Sequence, residues 1–556
     1  MLNFLETPAD IQRFLEIMRV FLRYGWEGSS EVAQMKERFP FLSRLEGISR
    51  EEEKLTGPVK LRKIFEELGP TFIKFGQMLS TRPDLIKEEY VVELRKLQDE
   101  VPPFDFVEAR HIIQQQLGKP LEKIFRQFDE KPVAAASIGQ VHYAELLNGK
   151  KVAVKVQRPD IEHIIQEDLR IIQFIAGLVE KSIKETKYYN PVSIAQDFAE
   201  TMVKELDYNR EAKNAEIFRK NFQHEEGIIV PAVLWEHTTG KVLTLERVPG
   251  EKISNFYSNK NAELKKKLAE LYIDCFFKQM LVYGFFQADP HPANIFAAVQ
   301  KGKPVISLLD FGMVGRVDYE LKDNFATTIV LIFDKNAKGL MRQLKALGMI
   351  DRIEDEQTFL NDIAEIIDYF YDFDLNRIDF NGFGNAFIRA LVKNKVRVPR
   401  QYLLLIRSLM IAQDSVQKLY PNINIIEIAK PYIGKIMEEK ANPAYLLRSF
   451  RENYFEMSRF LKELPESIMH IVKKMEEEDF KVSLEAKTLD GLSSSLSRSS
   501  STLSTSIILA AVIMASTALL TAKIDTVIGN TADLGAIGFV AAMAIALFVV
   551  LKLLRI

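Results

Sequence analysis

The sequence predicts an α+β protein of two lobes, with a helical extension before them and an apolar helical hairpin after them. Three observations predict this. Residues 1–130 carry amphipathic helical periodicity with few strand signals, as in "ADIQRFLEIMRVFLRYG" and "GPVKLRKIFEELG". From 131 the pattern alternates apolar and polar residues over short runs, and from about 261 it is mostly helical again. A chain of 556 residues, 47% hydrophobic and 27% charged, is long enough for more than one structural unit.

Each segment follows from its residues. The extension, 1–130, contains "TFIKFGQMLSTRPDLIKEEY" (71–90), which sets Lys74 and Gln77 among Phe72, Phe75, Met78 and Leu79. A surface helix with its lysine in water is the plain reading of that stretch. In the first lobe, 131–250, "ASIGQVHYAELLNGKKVAVKVQRP" reads as two strands joined by an Asn148-Gly149 turn. Residues 190–222 then read as one long helix, capped by Asn190 with Pro191 at its first position. "GIIVPAVLWEHT" and "KVLTLERVPG" read as two further strands. The second lobe, 251–490, is helical, broken at "QADPHPANIFAAVQKGKPVISLLDFGMVG". A serine-rich linker, 491–504, precedes two uncharged 18-residue runs, 505–522 and 534–551, within 505–552. Each is near the lower limit for a membrane span, and Arg498, Lys552 and Arg555 place both ends on the cytoplasmic side.

Composition excludes other chemistries. A net charge of -2 advertises no nucleic-acid surface. The single cysteine, Cys275, rules out an internal disulfide, and the 7 histidines lack metal-ligand spacing. No secretory signal is expected, because Glu6 and Asp10 interrupt the apolar run it needs.

The broken stretch carries the chemistry. "LLDFG" is an apolar strand ending in Asp310, Asp289 stands 21 residues earlier, and Asn294 follows Asp289 by five. In a protein-kinase-type site the first aspartate orients the attacking hydroxyl, and the asparagine and second aspartate hold Mg2+ against the phosphates of ATP. A five-residue spacing lets one tight loop aim both side chains into one cavity. Upstream, Lys155 ends "VAVK" on an alternating strand, where it points at the α- and β-phosphates.

These motifs, with "KFGQMLSTRPDL", "AAASIGQVH", "ELDYNREAKN" and "DPHPANI", resemble those of the UbiB family of atypical protein-kinase-like proteins, which serve ubiquinone biosynthesis and include the mitochondrial ADCK proteins. The resemblance implies a two-lobed kinase-like fold. It implies that an alanine-rich loop, Ala134, Ala135, Ala136 and Ser137, takes the place of the glycine-rich phosphate loop. Alanines cannot take the positive φ values open to glycine, so altered nucleotide preference and slower transfer are expected. Gln287-Ala288 replaces the usual His-Arg before the catalytic aspartate. Glu162 and Glu167 are nearer to Lys155 in sequence, yet the resemblance points to Glu211 as its partner and to an inserted helix at about 160–187. On one continuous helix Asp207 and Glu211 lie about 40° apart and Glu205 about 120° from Glu211. Asp207 is then expected near the nucleotide, and Glu205 on another face, paired with Lys74. The resemblance further implies that the Lys74–Gln77 helix folds over the site as a lid.

The expected function is that of a membrane-anchored, Mg2+-dependent ATPase of the kinase fold supporting ubiquinone or another lipid quinone. Its expected surroundings are the cytoplasmic membrane and its lipid, with quinone precursors or quinone-biosynthesis enzymes as partners and no nucleic acid. A true kinase acting on a small molecule, lipid or protein, and a nucleotide-gated scaffold, are the alternatives.

Overall fold

The computed structural model describes residues 8–24, 55–80, 82, 85–97, 101–182, 190–350, 355–371, 380–394, 396, 398–441, 525–526 and 529–530. The chain forms two compact units, Met1–Tyr445 and Leu446–Ile556. In the second, Asp525–Thr526 pairs antiparallel with Gly529–Asn530, inside the polar turn expected between the apolar runs. The linker and both expected spans lie outside the described residues. No helix among the described residues is long and apolar enough to cross a membrane.

The first unit is built on several cores. Helices α1 (Pro8–Arg23), α2 (Gly57–Leu68), α3 (Pro70–Leu79) and α4 (Glu88–Leu94) pack together, as expected for the extension. Only Gly69 separates α2 from α3; its φ of 96° turns the chain where a side chain would be strained. Helix α5 (Phe106–Leu117) belongs elsewhere. Its Ala109 and Ile113 pack on Val152, Val154 and Val242 of the first lobe's sheet.

That sheet contains β1 (Phe125–Phe128), β2 (Ala134–Ala135), β3 (Gly139–Leu146) and β4 (Lys151–Gln157). Because β1 pairs with β3, the lobe starts before residue 131; "FRQF" is too short a run for its alternation to be read as a strand. The β3–β4 turn falls at Asn148-Gly149 as expected, with Gly149 at φ 81°. Two helices follow, α6 (Ile161–Ser182) and α7 (Pro191–Glu205), the first where an inserted helix is expected. Both join the core of α1–α4, where Ile165 and Phe198 meet Phe14, Phe65 and Phe72. The extension is therefore a discontinuous helical body. Arg13 to Asp168 at 2.8 Å and Arg170 to Asp10 at 2.7 Å fasten α1 to α6.

The expected long helix 190–222 breaks at Leu206-Asp207. Helix α7 starts as predicted, with the Asn190 side chain accepting from Ser193 N at 3.1 Å. At Asp207 the backbone is extended, and its carboxylate caps α8 (Tyr208–Phe222) by accepting from Asn209 N at 3.0 Å. Gln157 donates to the Leu206 carbonyl at 2.9 Å and Tyr208 N donates to Gly240 O at 3.1 Å, so the broken turn leaves these groups satisfied. The break divides two cores. Met202 and Leu206 pack with the helical body, whereas Tyr208 and Ala212 belong to the core of the second lobe.

Of the first predicted strand after α8, only an isolated antiparallel bridge from Val233 to Leu245 and the short β5 (Ile228–Ile229) form. Pro231 offers no N–H to extend it. β6 (Val242–Glu246) completes the first sheet beside β4. In the second lobe, after β7 (Glu251–Lys252), helix α9 (Ala262–Phe277) runs into a π turn at Lys278–Val282. Then come β8 (Phe285–Gln287), β9 (Ile295–Gln300), β10 (Lys303–Leu308) and β11 (Val314–Arg316). β5 pairs with β10 in a sheet ordered β5-β10-β9-β7, and β11 pairs with β8. Helices α10 (Tyr319–Phe333), α11 (Ala337–Ala346), α12 (Glu356–Tyr371), α13 (Phe380–Lys393), α14 (Arg400–Leu419) and α15 (Ile425–Ala441) complete the lobe.

Candidate active site

Strand β4 alternates as the sequence predicts. Val152, Val154 and Val156 are buried on one face, and Lys155 emerges on the other. Its ammonium meets both carboxylate oxygens of Glu211 on α8, at 2.8 and 3.0 Å, and sits 5.0 Å over the Tyr208 ring. Burial favours the neutral amine, but Glu211, Tyr208 and Asp310 outweigh it and raise the Lys155 pKa. Glu211 is raised by burial and by the nearby charge of Asp310, against the pull of Lys155. The site is thus crowded with negative charge. Neither Glu162 nor Glu167 competes for Lys155: Glu162 faces Lys241 at 3.4 Å and Glu167 faces His163 at 3.5 Å.

Asp289 and Asn294 share a tight loop between β8 and β9. His291 N donates to Asp289 O at 2.8 Å, and the Pro290 and Ala288 carbonyls accept from Tyr272 at 2.5 Å and Ser408 at 2.8 Å. Leu309 N donates to Asn294 O at 3.0 Å, which brings Asn294 to the residues before Asp310. One oxygen of Asp310 accepts from Gly312 N at 2.8 Å, and Gln287 donates to its carbonyl at 2.6 Å. Asn214 of α8 donates to Phe311 O at 2.8 Å, so the helix carrying Glu211 is tied to the Asp-Phe-Gly turn.

Asn294 and Asp310 offer an amide oxygen and a carboxylate, hard donors suited to Mg2+. That ion keeps waters and takes one or two carboxylates plus substrate phosphates. Among the described residues no group of three His, Cys, Asp or Glu could hold a metal. The donor set therefore fits a metal that arrives with a nucleotide, not one caged by protein alone.

The alanine-rich loop is clamped on two sides. Ile138 is buried in the core of the helical body, while a side chain at Gly139 would meet the Tyr208 hydroxyl and the Val156 carbonyl, each at 2.4 Å. Ala136 N donates to Gly139 O at 2.8 Å, and Ser137 is wholly buried. Asp207 caps α8, one turn from Glu211. Lys74 lies 3.6 Å from Glu205, with side chains 20% and 11% exposed, so it is no lysine in open water. Both residues stand on helices of the helical body, and the pair fixes the end of α7 beside the break at Asp207. Gln77 donates to Leu97 O at 3.3 Å, which ties α3 to the segment after α4.

Sequence reasoning missed Arg407. It lies on α14 within electrostatic range of Asp289 but 118 residues beyond it, outside every motif. The available signal was a lone arginine within the apolar run "YLLLIRSLM". The hydrogen bond from Gln287 to Asp310 was likewise unread, though its position before Asp289 was noted.

A two-lobed fold, a lysine–glutamate pair across β4 and α8, and an Asp-Phe-Gly turn facing a D-x4-N loop define an atypical protein-kinase-like protein. The profile described as ABC1 atypical kinase-like domain matches residues 96–344, and the ABC1/UbiB kinase-like C-terminal domain matches 487–555. The chain is 32% identical to a "Probable protein kinase UbiB" of Marinobacter nauticus over 82% of this chain and 83% of that one. It is 34% identical to the "Uncharacterized protein sll1770" of Synechocystis over 78% and 74%. A solved structure titled as the Rv3197–erythromycin complex from Mycobacterium tuberculosis is similar at 22% identity, covering 72% of this chain and 98% of that one, with a TM-score of 0.47. The chain belongs to the UbiB family.

Proposed function

We propose that this protein binds Mg2+-ATP and transfers or hydrolyses its γ-phosphate in support of lipid-quinone assembly at a membrane. The observation that carries this reading is the Lys155–Glu211 pair beside a very short stretch of chain after the Asp-Phe-Gly turn. Lys155 and Glu211 are paired, yet only residues 313–318 separate Gly312 from α10, and β11 within them is paired to β8. That leaves little platform for a polypeptide substrate and favours water or a small acceptor.

In this reading Lys155, held by Glu211, binds the α- and β-phosphates, and the alanine-rich loop covers them. Asn294 and Asp310 would hold the metal, whose charge offsets that of the phosphates. Asp289 receives the proton of the attacking hydroxyl as the new oxygen–phosphorus bond forms and the bond to the β-phosphate oxygen breaks. Quinone precursors or their enzymes as partners, lipid contact and the cytoplasmic membrane location belong to the same proposal. The family match and the apolar runs 505–522 and 534–551 support it.

The test is Mg2+-dependent ATP hydrolysis, measured with and without lipid vesicles and phenolic quinone precursors. Stimulation by vesicles or precursors is expected. Phosphate incorporated into a small molecule, lipid or protein would favour the kinase alternative, and nucleotide binding without turnover would favour a scaffold.

A further inference from the structure

The end of α9 reaches both catalytic loops through two buried amides. After Phe277 the helix widens into the π turn Lys278–Val282, closed by Tyr283 N donating to Lys278 O at 2.9 Å. Such turns recur at functional sites. Glu225 at 2.5 Å and Asp274 at 3.0 Å hold the Lys278 ammonium and brace the turn from its outer side. The next side chain, Gln279, points inward. It is 2% exposed and shares a helix face with Cys275, to whose Sγ its Nε2 donates at 3.3 Å.

The Gln279 Oε1 serves the strand that leads to Asp289. β8 pairs with β11 along one edge, where Ala288 N donates to Met313 O at 3.0 Å. Successive N–H groups of a strand point to opposite edges, so the N–H of Gln287 faces away from β11. Gln279 Oε1 accepts it at 2.9 Å, inside the core. The Gln287 side chain in turn donates through Nε2 to Asp310 O at 2.6 Å. That orientation is fixed, because the flipped amide would set two oxygens face to face. It leaves Gln287 Oε1 buried and without a donor among the described residues. Packing for stability alone would satisfy both ends of a buried amide. Gln279 and Gln287 in series thus set the spacing between the Asp289 loop and the Asp-Phe-Gly turn.

We propose that Gln279 is a positioning residue: acting through Gln287, it fixes the backbone of Asp310 and so aims that carboxylate at the metal that arrives with the nucleotide. The hold on the Asp310 backbone stands on the hydrogen bonds alone; that Asp310 ligates Mg2+ rests on the phosphoryl-transfer reading.

The test uses the full chain in detergent. Gln279→Met keeps the volume and removes the acceptor. Gln279→Glu is the rescue, since its buried, protonated carboxyl keeps both an acceptor and a donor. Leu344→Ala, in the separate core of α11, α12 and α13, controls for lost stability. Two quantities are read. The first, without nucleotide, is hydrogen exchange of the peptide spanning 308–315, whose Gly312 N–H donates to Asp310 Oδ1. The second, by calorimetry, is the Mg2+ concentration that half-saturates ATP binding, beside the affinity for ATP without metal. In Gln279→Met the exchange is expected to quicken and the Mg2+ requirement to rise about tenfold, with metal-free affinity unchanged. Gln279→Glu should return both toward wild type, and Leu344→Ala should move neither. If Gln279→Met fails to fold, Cys275→Ala, which frees the other end of the Gln279 amide, must shift both in the same direction by less. Unchanged exchange, an unchanged Mg2+ requirement in a chain that binds Mg2+-ATP, or equal shifts in Leu344→Ala would overturn the proposal. Quickened exchange in Gln279→Met alone, in a protein that fails to bind Mg2+-ATP, would sink the nucleotide reading and leave the hold on Asp310 standing.

Discussion

At the scale of single residues, charge and space make three measurable statements. Asp310→Asn is expected to abolish Mg2+-dependent ATP binding, because an amide replaces the carboxylate that ligates a hard cation. Asp289→Asn is expected to spare binding and reduce turnover; calorimetry and a phosphate-release assay separate the two. His142 makes a statement about pH. It is buried, with its Nδ1–H donating to Asp129 O at 2.8 Å and its bare Nε2 accepting from the Gln140 amide at 3.0 Å. A proton on Nε2 would face that amide donor, and burial depresses the imidazole pKa below its usual range. A base so depressed contributes stability that is full above about pH 6.5 and is lost as pH falls toward the folded-state value. Tm should therefore drop on acidification through that window, and His142→Asn should shrink the drop. His237, depressed chiefly by burial, adds in the same direction and leaves a residue of it. Gly76 makes a statement about space. Alanine at a helix interior usually gains about 1 kcal/mol over glycine. Here its Cβ would lie 2.4 Å from Leu97 and 2.6 Å from Phe65, and overpacking of this kind costs about 1–3 kcal/mol. Gly76→Ala should lower the denaturation midpoint; a raised midpoint would mean that Leu97 yields freely.

At the scale of elements, the central feature is the break between α7 and α8. Lys74 and Glu205 are both largely buried, so removing either charge should cost about 1–3 kcal/mol, between exposed and fully buried pairs. Lys74→Glu with Glu205→Lys should recover part of it, as a coupling in a double-mutant cycle of chemical denaturation. Additive losses would mean that the pair contributes nothing. Because the pair fixes the chain just before Asp207, either single variant is also expected to gain autophosphorylation, read with labelled ATP. Much at this scale was legible: Asn148-Gly149, the Asn190 cap and the alternation around Lys155 are local signals, and each fell where expected. The break was not. "KELDY" holds neither glycine nor proline, and its helical periodicity continues unbroken. Only the partners that Gln157 and Gly240 supply from elsewhere make the interruption stable, and no local pattern records them.

At the scale of the whole molecule, residues 1–445 form a unit by themselves. Deleting 446–556 should leave a folded domain that binds Mg2+-ATP, checked by a single thermal transition and by calorimetry; aggregation or loss of binding would mean that the C-terminal unit completes the fold. The sequence supplied the two lobes and the motif residues of the site, because kinase-like chemistry is written in short spacings such as Asp289 to Asn294. Arg407 and the membership of α6 and α7 in the helical body were hidden. Both depend on which apolar faces meet across a hundred or more residues, as when Phe198 packs on Phe75 with ring centroids 5.0 Å apart.

That discontinuous helical body is threaded onto the catalytic lobes. The chain passes between them after Leu97, after Gln157 and again at Leu206-Asp207. Three covalent tethers make it a guest that can tilt but never depart, at a local concentration set by geometry and not by the amount of protein present. Dilution cannot separate it from the lobes, and a free peptide copying residues 70–80 has almost no chance of displacing α3 from its core. Any rearrangement of this body against the lobes must therefore run within one molecule, through the chain at these three crossings.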